Sequence, residues 1–106
     1  MKVLVIGSGG REHALCVALK RSPRLTRLWC APGNAGIGLE RLASNGRPVD
    51  CAPIGAEDLQ KLLEFARAER PDLVVVGPDN PLALGIVDVF QLSGFHIWGP
   101  NQKAAQ

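Results

Sequence analysis

The sequence predicts an α/β fold: a Rossmann-like parallel sheet with helices on both faces. Three observations carry that prediction. Short apolar runs rich in β-branched residues alternate with helical patterns along the whole chain. Each run is continuously apolar rather than alternating, as in strands buried on both faces. Each main run ends in a turn rich in Gly, Pro or Asn.

The elements follow in order. Val3–Ile6 reads as a buried strand bounded by Gly7. From Arg11 the apolar positions Ala14, Leu15, Ala18 and Leu19 keep helical spacing, and Pro23 closes that helix. Leu25–Ala31 reads as a second strand, ended by Pro32-Gly33. Ile37–Leu42 predicts a short helix carrying Glu40, and Asn45-Gly46 a turn before a short strand over Pro48–Cys51. Ala56–Glu69 is the clearest helix: Leu59, Leu62, Leu63 and Ala66 fall at i, i+3, i+4 and i+7. Leu73–Val76 reads as a strand ended by Gly77-Pro78. In the next helix Asn80 is the expected N-cap, Pro81 the first helical residue and Gly94 the C′ stop. Phe95–Trp98 predicts the last strand, and Asn101–Gln106 begins like a further helix.

Bulk composition narrows the function classes. The chain has 106 residues, 46% of them apolar and 21% charged, with a net charge of +2. That length fits one domain, and that charge argues against a nucleic-acid or acidic-membrane partner. The basic run from Lys20 to Arg27 reads as a solvated helix end. Cys16, Cys30 and Cys51 form no paired spacing, so they read as buried small hydrophobes rather than a disulfide or zinc framework. Free thiols, no secretory leader and no apolar stretch of about 20 residues predict a cytoplasmic setting.

The motif with most chemical content is "VIGSGGREHA", residues 5–14. A strand followed by a glycine turn and a helix points backbone N–H groups at one spot, where an anion is favoured. Gly9 and Gly10 let a phosphate approach the backbone, Arg11 can add a charge-assisted contact, and Glu12 can accept from hydroxyls or an amine. Two further loops, 31–36 and 77–81, lie at strand carboxyl ends, where such sheets bind ligands. Gly7 reads as a tight turn. His13, His96, Trp29 and Trp98 read as structural. The dinucleotide fingerprint G-x-G-x-x-G matches at Gly7 and Gly9 only, since Glu12 stands at the third glycine. The acid expected after the second strand is also missing from Cys30-Ala31-Pro32. An NAD(P)-binding oxidoreductase domain is therefore the alternative. A non-catalytic interaction module, docking through the nearly all-apolar Leu82–Leu92 segment, is the third reading.

The segments "MKVLVIGSGGREHAL", "APGNAG", "DLVVVGPDNPLALGIVD" and "GPNQKAAQ" together resemble the opening domain of the phosphoribosylamine–glycine ligase (glycinamide ribonucleotide synthetase) family. The resemblance covers the whole chain. It implies the N-terminal α/β domain of a longer ATP-grasp ligase of purine biosynthesis, with ATP-grasp and C-terminal domains outside residues 1–106. It implies a reaction in which ATP and Mg2+, held mainly by those domains, activate glycine as an acyl phosphate that the amine of 5-phosphoribosylamine attacks. On this basis the fragment alone is expected to be inactive, and none of its residues is assigned a catalytic role. The substrate contacts the resemblance implies are Gly9, Gly10, Arg11, Glu12, Asn34, Gly77, Pro78, Asp79, Pro81 and Leu82. Where the family usually has Gly-Pro-Glu-Ala-Pro-Leu, this chain has Asp79-Asn80, which keeps a carboxylate on a shorter arm.

Overall fold

The computed structural model describes residues 1–77 and 80–99. Its elements run β1 (Lys2–Gly7), α1 (Gly10–Leu19), β2 (Arg27–Pro32), α2 (Ala35–Gly38), β3 (Asp50–Cys51), α3 (Leu59–Glu69), β4 (Leu73–Val76), α4 (Ala83–Leu92) and β5 (Ile97–Trp98). The five strands form one parallel sheet in the order β3-β2-β1-β4-β5. This is the Rossmann-like α/β architecture the alternation predicts.

β1 is central, and its continuous apolar run is satisfied on both faces. Leu4 and Ile6 face one core with Trp29, Leu62, Val74, Val76, Ile86 and Phe90, beneath α3 and α4. Val3 and Val5 face the other with Cys16, Leu28, Cys30, Ile37 and Val75, beneath α1 and α2. Trp29 is buried as expected, edge-on to Phe65 at 5.6 Å between ring centroids. Phe90 is fully buried and stacks obliquely on Phe95 at 5.5 Å. Gly94 takes the left-handed conformation (φ +88) just past the α4 C-cap, as its position predicts.

Several boundaries differ from the sequence reading, each for a local reason. α4 begins at Ala83, not Pro81, because Asn80 spends its side chain on a turn: Oδ1 accepts from the Leu82 N–H at 2.8 Å. α3 begins at Leu59, not Ala56, because Asp58 is the cap, accepting from the Lys61 N–H at 3.2 Å. α2 spans Ala35–Gly38 rather than Ile37–Leu42, because Asn34 Oδ1 accepts from the Ile37 N–H at 2.9 Å. Glu40 therefore lies beyond that helix. β2 and β5 each start two residues later than expected, and β3 is reduced to Asp50–Cys51. Cys51 and Trp98 are exposed, against the expectation of burial, because both sit on two-residue edge strands. The segment Asn101–Gln106 lies outside the described residues.

The basic run also has partners. Lys20 Nζ donates to Glu40 Oε1 at 2.7 Å, and Arg27 Nε donates to Asp50 Oδ2 at 2.9 Å. Glu40 Oε2 lies 2.9 Å from His13 Nε2, which ties α1 to the segment after α2. The Lys20 ammonium, followed by His13, holds the Glu40 carboxyl below its usual value.

Two outcomes follow from this packing. Phe90→Ala removes a fully buried ring and should cost about 3–5 kcal/mol in urea unfolding, out of a total of roughly 5–15. Because the folded value of Glu40 is depressed, its stabilising contribution is complete above the unfolded carboxylate value and is lost as pH falls through the folded one. Glu40→Gln should therefore flatten the acid limb of the urea midpoint plotted against pH, with little slope change near neutrality.

Candidate functional site

From β1 the chain first builds outward to β2 and β3, then crosses back to β4 and β5. The strand order thus reverses between β1 and β4, and a crevice opens there beyond the carboxyl ends of the strands. A cleft of about 280 Å³ lies at this position. The β1 turn contributes Gly7, Ser8, Gly9 and Glu12, the loop before α3 contributes Ala56 and Glu57, and the loop before α4 contributes Asn80 and Pro81.

Local folding sets each wall. Gly7 has φ +142, a conformation open to glycine and strained for other residues. Its carbonyl is held from the second strand by the Gly33 N–H at 3.1 Å and the Cys30 thiol at 3.2 Å. The Cys30 thiol is pushed well above its usual value by its contact with Cys16 and by burial, so it stays a neutral donor. Gly9 is the N-cap of α1, with extended backbone. Glu12 is then the third residue of the helix, where an acid folds back toward the cap. Its carboxyl group lies over Gly7, so closely that a Cβ there would overlap it, and a Cβ on Gly9 would sit 3.3 Å from Oε2. Across the cleft, Asn80 Nδ2 donates to the Ala56 carbonyl at 3.0 Å, tying two loops into one wall.

The structure separates the residues that sequence reasoning grouped together. Gly9, Glu12 and Pro81 line the cleft. Arg11 and Gly77 line a second cavity of about 180 Å³ with Val5, Leu15, Val75 and Trp98, and Glu12 borders both. Gly10 begins α1 beside the cleft without lining it. Asn34 is a brace: while Oδ1 caps α2, Nδ2 donates to the Ser8 carbonyl at 2.7 Å. Leu82 is exposed and lines neither cavity. Pro78 and Asp79 lie outside the described residues.

Ser8, Ala56, Glu57 and Asn80 were not among the expected contacts. Glu57 directly precedes the Asp58 helix cap, a position indistinguishable in sequence from a solvated acid. The one available signal was topological: the loop after β3 also ends at the carboxyl edge of the sheet.

Chemically, the described cleft presents two carboxylates, a hydroxyl and a carboxamide, and no cationic side chain. Such a set accepts hydrogen bonds from hydroxyls and amines. Among the described residues no group of three or more His, Cys, Asp or Glu side chains converges to hold a metal ion.

Gly7→Ala should cost roughly 1–3 kcal/mol in chemical unfolding, from backbone strain and from overlap with Glu12. Removing the overlap in a Gly7→Ala/Glu12→Ala double variant should recover part of the loss, giving a coupling of about 0.5–3 kcal/mol. Strict additivity would show that Glu12 does not rest on Gly7.

Comparison with known proteins gives matches along the full sequence. The family described as "Phosphoribosylglycinamide synthetase, N domain" matches residues 1–106. The chain is 50% identical, over 99% of its length, to a phosphoribosylamine–glycine ligase of Caldanaerobacter subterraneus subsp. tengcongensis. It is 48% identical over its whole length to the ligases of Salmonella typhimurium and Escherichia coli. It spans 23% of the length of each of these relatives. A resemblance carried by separated motifs thus extends through every element of the sheet, and the chain belongs to the phosphoribosylglycinamide synthetase N-domain family.

Proposed function

We propose that this chain is the substrate-binding N-terminal domain of a phosphoribosylamine–glycine ligase of purine biosynthesis, and that the cleft between β1 and β4 receives 5-phosphoribosylamine. The observation that carries this reading is the cleft itself: at the switch point of a sheet of this family, the described side chains all suit a polyhydroxylated, amine-bearing ligand. Glu12 and Glu57 accept hydrogen bonds from the ribose hydroxyls or the amine, with Gly9 and Gly10 beside them at the start of α1. Pro81 closes one wall, and Asn34 supports the opposite one through Ser8. Arg11 and Gly77, which line the second cavity, and Leu82, Pro78 and Asp79 are assigned as contacts by the family motif alone.

In the whole ligase, ATP and Mg2+ held outside residues 1–106 would supply the phosphorylation of the glycine carboxylate, with release of ADP. The substrate amine would displace that phosphate to form the new C–N bond. The part of this chain in that reaction is to bind the sugar and orient the amine through the cleft residues. Activation belongs to the remaining three-quarters of the polypeptide seen in the relatives. No helix among the described residues is long and apolar enough to cross a membrane.

The test is an amide NMR titration of this chain with ribose 5-phosphate, a stable stand-in for the labile amine, and with NAD in parallel. Saturable shifts at Ser8, Gly9 and Asn80 with the sugar phosphate, weakened roughly tenfold by Glu57→Gln, are expected. Shifts with NAD alone at these glycines would instead favour the dinucleotide reading, and silence at all three residues would remove the sugar from this cleft.

A further inference from the structure

The glycine turn has nearly everything a phosphate-binding turn requires. β1 ends at Gly7, Gly9 caps α1, and the helix N-terminus opens toward the crevice. The spacing Gly7-Ser8-Gly9-Gly10-Arg11-Glu12 follows the dinucleotide fingerprint at every position except the last. In that fingerprint the absence of side chains leaves a hollow into which a pyrophosphate settles against the backbone.

Here the hollow is filled. The Glu12 carboxyl group lies over both Gly7 and Gly9, close enough to exclude a Cβ at the first and to press on one at the second. The cause is local: as the third residue of α1, Glu12 folds back toward the N-cap and places its charge at the positive end of the helix. Among the described residues no hydrogen bond or ion pair neutralises it. The neighbouring Arg11 forms no bridge with it, and the two border the apolar second cavity beside Trp98. Glu57 adds a second negative charge to the cleft that Glu12 lines.

We propose that Glu12 determines the specificity of the glycine turn by keeping phosphate groups out of it. The carboxylate occupies the space a pyrophosphate would need and repels what remains outside. The turn is thereby converted from an anion cradle into a surface that reads hydrogen-bond donors. One consequence rests on the proposed function: a ribose 5-phosphate in the cleft turns its hydroxyls, not its phosphate, toward Glu12.

The exclusion can be measured without any sugar. Inorganic pyrophosphate and NAD would be titrated at constant ionic strength into the wild-type chain, Glu12→Gln and Glu12→Gly, reading the Gly9 and Gly10 amides. Unchanged β1 and β4 amides would establish that each variant is folded. Wild type should show no saturable pyrophosphate shift at these glycines. Glu12→Gln should bind at least roughly tenfold more tightly, and Glu12→Gly, which completes the fingerprint, should also respond to NAD. The isosteric Gln variant decides the matter if the Gly variant fails to fold. Equal pyrophosphate affinity in wild type and Glu12→Gln, or no gain in the folded variants, would overturn the proposal. Because no sugar is used, a negative result here leaves the assignment of the cleft standing, and a negative ribose 5-phosphate titration leaves this role of Glu12 standing.

Discussion

The structure depends on the burial of β1. It lies at the centre of the five-strand order, with neighbours on both edges, and its apolar residues are divided between the two cores. Its N–H and C=O groups are satisfied by β2 on one side and β4 on the other, in unbroken parallel register. A strand so enclosed can deliver the chain to only one place, the carboxyl edge of the sheet. There Gly7 must turn it out of the layer under a conformation that disfavours side chains. The cleft is a direct consequence, since the strand order reverses beside β1 and the loops of both halves meet over its end.

What makes that edge precise is a set of backbone ties between loops that are distant in sequence. The Gly7 carbonyl takes donors from β2 and the loop beyond it, Asn34 grips Ser8, and Asn80 grips Ala56. On the outer side, Glu40 joins His13 and Lys20 of the α1 region to the segment after α2. The Cys30, Asn34 and Asn80 bonds each use a side chain to satisfy a main-chain carbonyl at a turn or loop. Asn34 and Asn80, which look like ligand groups in a motif, therefore serve as braces.

Glu12 distinguishes this glycine turn from the dinucleotide glycine pattern it otherwise follows. A strand, a glycine turn and a helix N-terminus are shared by many nucleotide-binding sheets, and by themselves they say little about the ligand. Placing a carboxylate at the third position of the helix reverses the electrostatic sense of the turn. The same position explains why Gly7 tolerates no side chain here, since its space is taken by Glu12 rather than by a ligand.

The alternation of elements, the central strand, the glycine turn and the left-handed stop at Gly94 were legible in the sequence. They rest on periodicity and backbone sterics, which act between residues close together in the chain. The separated motifs also carried the family, because their order and spacing are recorded in the chain itself. Helix starts were less legible: Asn80 could cap a helix or build the turn before it, and the tie to Ala56 joins residues 24 apart. The burial of Cys51 and Trp98 was misread because apolar character does not reveal which strands lie at a sheet edge. Glu57 could not be singled out at all, since nothing in its neighbours distinguishes a cleft wall from open solvent. The local sequence thus determined the elements and the turn that ends β1. Only the tertiary structure decided which loops converge over that turn, because the hydrogen bonds and charges that shape the cleft act across space between residues far apart in the chain.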